Sequence, residues 1–248
     1  AVYAFARAAD DDADEEFLDS NPKSEIRNPQ SRLEAKRARI ETGRFDGDPV
    51  FEALGDTMRR FDLPPDPFLD LLSAFLQDTV KSRYETFDDV LDYCTRSANP
   101  VGRIMLMLFG YRDAERFALS DRICTALQLI NFWQDIRSDY LQRDRIYLPM
   151  DDLRNFGVQE SELAGGDCRP DYKELIEFQV RRTDTLMREG WPLISKLPFR
   201  LKLPIALFAA GGATILRRIR PDAPRPTLND WDCRLLMPFQ FLHILAHA

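Results

Sequence analysis

Apolar residues recur every three or four positions along most of the chain, which is the spacing of amphipathic α-helices. Strict alternation of apolar and polar residues, typical of half-buried strands, is weak, and only 11 glycines interrupt the 248 residues. The pattern therefore predicts helices at roughly 1–16, 31–43, 48–61, 67–80, 87–97, 101–109, 115–143, 171–196, 198–219 and 228–247.

Turn-forming sequences fill the gaps between these predicted helices. They are NPKSEIRNPQS (21–31), LPPDP (63–67), AGGDCRP (164–170) and RPDAPRP (220–226). No internal repeat of 20–50 residues is visible. We therefore predict a single all-α domain over residues 1–248, in which long central helices surround a cavity.

Composition narrows the classes of partner. The chain is 44% hydrophobic and 30% charged, which provides for a packed core, and its net charge of −7 argues against a nucleic-acid partner. The four cysteines, Cys94, Cys124, Cys168 and Cys233, form no CxxC pair and favour reduced thiols in a cytoplasmic protein. His243 and His247 lack an HExxH context, so we interpret them as one face of a terminal helix rather than a metal site.

The longest apolar run, LPIALFAAGGATIL (203–216), is shorter than the roughly 20 residues that span a bilayer. It predicts either a core helix or a peripheral contact at the inner membrane surface. The sequence fixes no oligomeric state. Because the chain opens at Ala1 directly in helical sequence, we expect it to lack its natural N-terminus.

The first predicted helix carries a stripe of polar side chains. Tyr3, Arg7, Asp10 and Asp14 share one face, and six of the seven residues from Asp10 to Glu16 are acidic. Acidic residues are unfavourable at the C-terminal end of a helix, where the dipole is negative. The stripe is therefore either a solvated helix end or a site that a bound cation stabilises.

A second stripe lies in the long helix predicted at 115–143. Gln128, Asn131, Asp135 and Asp139 fall on one face, and the rest of that helix is largely apolar. We therefore expect this helix, with its polar stripe, to be buried, and buried amides and carboxylates are costly unless they are paired. Oxygen ligands on a rigid helix suit Mg²⁺. An ordinary amphipathic helix is the alternative for either stripe alone, and their combination favours a metal site.

Arginines lie close to both stripes in the sequence, and their planar guanidinium groups bind phosphate oxygens in bidentate fashion. Arg7 belongs to the first stripe, and Arg143 and Arg145 follow the second. Arg96 lies in YCTRSANPVG (93–102), just before a predicted turn. Together these residues predict a site for a diphosphate bridged by Mg²⁺.

These residues resemble the squalene/phytoene synthase family, which carries two DxxxD motifs on facing helices. The motifs are Asp10–Asp14 within YAFARAADDDADE and Asp135–Asp139 within QLINFWQDIRSD, and the RIYLP segment (145–149) is also similar to the family. The resemblance extends from Ala1 to about residue 240 and implies a class I isoprenoid synthase-like helical bundle. It also implies that a helix of the family that helps bind a diphosphate is missing from the start of this chain.

Within the family, LDYCTRSANPVGR (91–103) and LINFWQD (129–135) look most like the hydroxysqualene synthases of hopanoid biosynthesis. Members that join two prenyl diphosphates often have tyrosine where Arg96 stands and arginine where Gln134 stands. Asp12 also departs from the family, which usually has an apolar residue there. The first two departures argue against the condensation step.

The resemblance implies Mg²⁺-dependent conversion of presqualene diphosphate to hydroxysqualene, by diphosphate ionisation, cation rearrangement and water capture. In this hypothesis Asp10, Asp14, Asp135 and Asp139 hold Mg²⁺, with help from Asn131 and Gln128. The predicted substrate-binding residues are Tyr3, Arg7, Arg96, Gln128, Asn131, Arg143, Arg145 and Tyr147. Tyr3, Phe132 and Tyr147 are also candidates for walls that stabilise a carbocation.

Two alternatives remain open at this point. The chain could condense two prenyl diphosphates into presqualene diphosphate or phytoene. It could also be a non-catalytic assembly protein that keeps the all-α shell, although both aspartate pairs are complete here.

Overall fold

The computed structural model describes residues 1–14, 28–165, 169–223 and 225–228. These residues form α-helices and one short 3₁₀ helix, with no β-strand among them, which confirms the all-α prediction. The helices are α1 (Val2–Asp14), α2 (Pro29–Thr42), α3 (Pro49–Phe61), α4 (Asp66–Asp78), α5 (Phe87–Ser97), α6 (Asn99–Leu108), α7 (Ala114–Arg143), α8 (Met150–Asn155), α9 (Pro170–Gly190), α10 (Pro192–Ser195) and α11 (Phe199–Leu216).

Helix ends follow from local capping chemistry. The carboxylates of Asp48 and Asp113 accept hydrogen bonds from backbone N–H groups in the first turns of α3 and α7, which satisfies donors that the helix leaves unpaired. Gly43 ends α2 at φ 66°, a conformation that glycine adopts without steric cost. The predicted boundaries of these helices are accordingly confirmed to within two residues.

One predicted helix differs from the structure, two short helices were not predicted, and one predicted helix is not tested. The helix predicted at 171–196 ends at Gly190, and a separate short helix starts at Pro192, because proline has no N–H to continue the hydrogen-bond ladder. Helix α8 and the 3₁₀ helix Glu160–Ala164 were not predicted, since each is too short to show a period. The helix predicted at 228–247, with His243 and His247, lies outside the described residues, as do Cys168 and Cys233.

The chain divides into two compact units. The first contains residues 1–82 and 95–112, and the second contains residues 83–94 and 113–248. In the first unit α1 packs on α2, α3 and α4, and α4 also packs on α6. Its core includes Phe5, whose ring meets those of Phe51 and Phe68 edge to face at centroid distances of 5.7 and 5.8 Å.

Helix α7 is the central element of the second unit, and it packs on α9, α10, α11 and the 3₁₀ helix. Two glycines permit the close approach of its neighbours. A Cβ on Gly190 would lie 2.5 Å from the Ile123 side chain, and one on Gly212 would lie 2.6 Å from Leu127. The Trp133 indole donates a hydrogen bond of 2.9 Å to Thr183, which fixes the rotation of α7 against α9.

Candidate functional site

The second predicted stripe lies along α7, but its members differ in exposure. Asp139 is buried, Gln128 and Asp135 are half-buried, and Asn131 is exposed. The expectation that the whole stripe is buried is therefore correct only toward the C-terminal end of the helix. There, the two carboxylates stand one helical turn apart on the same face.

The charge of Asp139 is unfavourable in its surroundings. Burial, with a further contribution from the negative charge of Asp135, raises the pKa of Asp139 from its ordinary value of 3.8 to about 6. Arg143 and Arg145 act in the opposite direction, and Arg143 Nη1 lies 3.4 Å from Asp139 Oδ1. The protein's own cations thus leave part of the negative charge unbalanced, and an added cation would stabilise it.

Asp135 is bound by an arginine that sequence analysis did not identify. Arg225 Nη2 donates to Asp135 Oδ2 at 3.0 Å, and Arg225 Nε donates to the other carboxylate oxygen. The same segment is attached to α7 by the Gln134 side chain, which donates to the backbone carbonyl of Pro226 at 2.7 Å. Arg225 was assigned to a loop because the RPDAPRP sequence shows only turn signals, and 90 residues separate it from its partner.

An aromatic cluster lies beside Asp139. The rings of Phe132 and Tyr147 stack at 3.7 Å with an interplanar angle of 7°, and both side chains are buried. Arg145, also buried, donates to the Tyr147 hydroxyl at 3.2 Å. Phe132, Asp139, Arg145 and Tyr147 are all buried and lie around one point of the second unit, so the structure brings four predicted residues together.

Two further tyrosines extend this cluster and were not predicted. Tyr84 stacks on Tyr147 at 5.4 Å, and Tyr93 contacts the rings of Tyr84, Phe132 and Tyr147 at 5.7 to 5.9 Å. Tyr93 is in a quoted motif, but nothing in its spacing relates it to residue 147. Four aromatic rings therefore form a continuous apolar wall within the second unit.

The segment that carries Arg145 and Tyr147 is held in place by Arg83. Its guanidinium donates to Asp144 Oδ1 at 2.7 Å and to Glu160 Oε2 at 2.9 Å, and its backbone forms an isolated bridge with Ile146. The Arg83 side chain is 26% exposed. The two ion pairs and the bridge hold the segment after α7 in place, and with it the side chains of Arg145 and Tyr147.

The first stripe, on α1, is largely exposed. Arg7 Nη1 lies 3.3 Å from Asp10, Arg7 Nη2 lies 2.7 Å from Asp11, and 80% of Tyr3 is exposed. The backbone of Asp14 is helical, but its side chain lies outside the described part of the chain. The charges of Asp10 and Asp11 are thus balanced by a neighbour one turn earlier on the same helix.

Asp12 points to a different set of partners. It is buried, it forms an ion pair with Lys36, and Arg32 Nη1 lies 3.4 Å away, both on α2. Lys36 also donates to the carbonyl of Ala8 at 3.2 Å. Asp12, which departs from the family pattern, therefore links α1 to α2 through its ion pairs.

Arg96, predicted to bind substrate, contacts α4 within the first unit. It donates to Ser73 Oγ at 3.0 Å and to Gln77 Oε1 at 2.6 Å. These bonds fix the guanidinium group, and its contact with substrate stays a prediction. That the stripes of α1 and α7 form one site likewise stays a prediction, because they belong to different compact units.

The α7 residues suit Mg²⁺ chemically. Asp135 and Asp139 offer two hard carboxylates, Gln128 and Asn131 add amide oxygens, and Mg²⁺ takes one or two protein carboxylates while water and phosphate oxygens complete its shell. In the described part of the chain, no three His, Cys, Asp or Glu side chains group closely enough to hold a metal by themselves. The donor set therefore fits a cation that a diphosphate also binds, rather than an all-protein cage.

A larger cavity, of about 680 Å³, borders the adjoining face of α7. Its walls include Trp133, Arg137, Tyr172, Arg220 and Arg225, but neither aspartate of the stripe. Among the described residues its one carboxylate, Asp222, pairs with Lys173 at 2.8 Å, so we assign the candidate cation site to the Asp135–Asp139 pair of α7 and not to this cavity.

Comparison with known proteins identifies the family and the fold of the chain. Residues 1–237 match the family model for squalene/phytoene synthase. A hydroxysqualene synthase from Rhodopseudomonas palustris is 35% identical over 90% of this chain and 74% of the relative, and a phytoene synthase from Thermus thermophilus is 33% identical over 98% and 82%. The crystal structure of a squalene synthase from Alicyclobacillus acidocaldarius aligns with a TM-score of 0.76 at 37% identity, covering 88% of this chain and 80% of that one.

The resemblance that the two DxxxD motifs indicated is thereby confirmed, and the all-α fold is class I isoprenoid synthase-like. The relatives include proteins named for more than one reaction, so the comparison fixes the family and not the individual step. The chain belongs to the squalene/phytoene synthase family of enzymes.

Proposed function

We propose that this chain converts presqualene diphosphate to hydroxysqualene in a Mg²⁺-dependent reaction. The observation that carries the proposal concerns Asp139, which is buried one helical turn from Asp135. Burial and the negative charge of Asp135 raise the pKa of Asp139 to about 6. A pair of carboxylates kept in such surroundings costs stability, and functional sites commonly retain groups of this kind.

Asp135 and Asp139 on α7 would hold Mg²⁺, with Asn131 and Gln128 as additional oxygen donors. Asp10 and Asp14 on α1 are the other proposed ligands. When bound, Mg²⁺ would supply positive charge that stabilises the departing diphosphate. Arg7, Arg143 and Arg145 bind the diphosphate oxygens and orient the leaving group. Arg225 binds both carboxylate oxygens of Asp135, and its guanidinium group would leave that carboxylate when the cation and the diphosphate bind.

The hydrocarbon part of the substrate lies against the aromatic wall. Phe132 and Tyr147, whose buried rings stack on each other, are the residues to which we assign stabilisation of the carbocation, and the hydrogen bond from Arg145 holds Tyr147 in place. After the diphosphate departs with the bonding electron pair, the cyclopropylcarbinyl cation rearranges. Water then adds to the cation and loses a proton, which gives the alcohol.

Two features favour this step over others of the family. The hydroxysqualene synthase relative is 35% identical to this chain. In addition, Arg96 stands where condensing members often have tyrosine, and its guanidinium is fixed by Ser73 and Gln77. Condensation of two prenyl diphosphates is the second candidate, because the phytoene synthase relative is 33% identical over 98% of this chain.

The test is incubation of the chain with presqualene diphosphate and Mg²⁺, with products analysed by mass spectrometry. We expect hydroxysqualene from the wild type, and a large loss in Asp135→Ala and Asp139→Ala. Asp184→Ala is the matched control, because Asp184 also pairs with an arginine four residues later but is more exposed, at 32% against 11%. Turnover of farnesyl diphosphate to presqualene diphosphate or of longer donors to phytoene, without hydroxysqualene, would support condensation instead.

A further inference from the structure

The N-terminal half of α11 exposes an apolar surface. Phe199, Leu203, Leu207 and Phe208 are exposed by 76%, 37%, 39% and 66%. With exposed Pro204 they fall within about half a turn of the helical projection, and buried residues such as Leu201, Ala206 and Ala209 occupy the opposite side. We call these five exposed residues the α11 face.

A contiguous exposed apolar face of this kind is unusual on a monomeric soluble protein and marks an interaction surface. Single exposed apolar residues are common, but here five of the six exposed positions between 199 and 208 are apolar. The sixth is Arg200, which lies in the middle of the same arc. The face therefore combines large apolar side chains with a positive charge.

The charge around the α11 face indicates the kind of partner. Helix α11 contains two basic residues, Arg200 and Lys202, and no acidic one, although the whole chain has a net charge of −7. Arg200 and Lys202 belong to the first turns of α11, whereas the charge of Lys196 is balanced by Glu115 at 2.8 Å. Basic residues beside exposed Phe and Leu are the composition of a surface that binds anionic lipid headgroups and inserts shallowly among acyl chains.

The length of α11 distinguishes lying on a membrane from crossing it. Within the described ranges, Phe199–Leu216 is the one helix whose length and hydropathy would allow it to cross a bilayer. Half of that 18-residue window is buried in the protein, however, and Ala209, Ala210 and Ala213 pack inside the second unit. The apolar character of the C-terminal half thus serves the protein core, and only the α11 face is available to lipid.

We propose that the α11 face docks this protein on an anionic membrane surface. Phe199 and Phe208 insert at the boundary between headgroups and acyl chains, and Arg200 and Lys202 contact anionic headgroups. The proposal does not depend on the reaction assigned above, since it concerns a surface that binds lipid without substrate or metal.

The test is co-sedimentation of the chain with vesicles, in the absence of Mg²⁺ and prenyl diphosphate. We expect binding to vesicles of phosphatidylcholine mixed with phosphatidylglycerol, weaker binding at high salt, and little binding to pure phosphatidylcholine. Phe199→Ser with Phe208→Ser should lower the partition coefficient at least about tenfold, because two apolar side chains no longer insert. Circular dichroism of the double variant checks that the helices remain folded.

A matched control is available on α6, where Val101, Met105 and Phe109 form another exposed apolar stripe, at 49%, 43% and 50%. Val101→Ser with Phe109→Ser should leave vesicle binding unchanged. The charge contribution is measured separately with Arg200→Glu and Lys202→Glu, which should weaken binding to anionic vesicles, whereas Arg59→Glu with Arg60→Glu on α3 should have a smaller effect.

Three results would overturn the proposal. The first is a wild-type chain that does not sediment with anionic vesicles, and the second is equal loss of binding in the α6 control. The third is a wild-type dimer that Phe199→Ser with Phe208→Ser converts to monomer while lipid is not bound. That last result would assign the α11 face to a second copy of the chain.

Discussion

The aspartates of α1 and those of α7 share a helical spacing, but they differ in how their charge is balanced. On α1, Asp10 and Asp11 are partly exposed and pair with Arg7 one turn earlier. On α7, Asp139 is buried, and the pairing that Arg143 provides does not prevent its pKa from rising. The two partly exposed aspartates of α1 are thus solvated and neutralised by Arg7, whereas the negative charge of Asp139 on α7 is only partly balanced.

A third case lies between these two. Asp12 is as buried as Asp139, at 8% for each residue, but it is surrounded by Lys36 and Arg32. Burial alone therefore does not identify a functional carboxylate. The distinguishing property is burial without sufficient compensation, because stability favours the compensated pair, whereas uncompensated charges are concentrated at functional sites.

The largest expected effect concerns catalysis by the two stripes. Under the proposed mechanism, Asp10→Asn and Asp139→Asn should each lower kcat/KM for presqualene diphosphate by about 10²-fold or more, since each removes a charge that would bind the cation. Asp11→Asn, one position off the stripe of α1, should change it little. Full activity in Asp10→Asn would reduce the acidic run of α1 to a solvated helix end.

The next effect concerns the stability of the compensated aspartate. Asp12→Ala should lower the free energy of unfolding by about 2–3 kcal/mol, because it leaves Lys36 partly buried without its partner. Asp11→Ala, whose ion pair is half exposed, should change it by less than about 0.5 kcal/mol. Denaturant unfolding measures both, and equal values for the two variants would contradict the structural role of Asp12.

Substitution of Asp139, in contrast to Asp12, should raise the free energy of unfolding at neutral pH. The pKa of Asp139 is about 6 in the folded chain and 3.8 ordinarily, so the folded chain binds more protons than the unfolded chain between about pH 4 and pH 6. The free energy of unfolding therefore falls as pH rises through that window. In Mg²⁺-free buffer, Asp139→Asn should stabilise the chain at pH 7 by about 1–2 kcal/mol and should have little effect at pH 4. A destabilised variant at pH 7 would show that Asp139 is compensated after all.

The smallest effect concerns Arg225, which balances Asp135 from a distant segment. Arg225→Ala should tighten the binding of Mg²⁺ alone by severalfold, because the cation no longer competes with the guanidinium group for the carboxylate. Arg137→Ala removes the same charge two residues away from Asp135 without removing the ion pair, and it should have a smaller effect. Equal affinities in the two variants would exclude direct competition.

Much of this arrangement follows from sequence periodicity. The spacing of Gln128, Asn131, Asp135 and Asp139 places them on one face of α7 whatever the tertiary structure, because the helical repeat is fixed. The helix itself is marked by its cap at Asp113 and its length of 30 residues. The all-α class could be predicted for the same reason.

The partners of these residues could not be predicted, because they are set by contacts between distant parts of the chain. Arg225 meets Asp135 across 90 residues, and Tyr84 stacks on Tyr147 through a segment held by Arg83. Exposure is equally non-local, so the stripe was expected to be buried along its whole length although Asn131 is exposed. Local pattern thus defined which side chains share a face, and tertiary packing defined their charge state.

The most direct measurement is calorimetric titration of the preformed complex of Mg²⁺ and inorganic diphosphate into the chain, in buffer that contains excess Mg²⁺. The account predicts saturable binding by the wild type and by Asp184→Asn, and none by Asp135→Asn with Asp139→Asn. Undiminished binding by that double variant, with its helices intact by circular dichroism, would contradict the assignment of the cation site to α7.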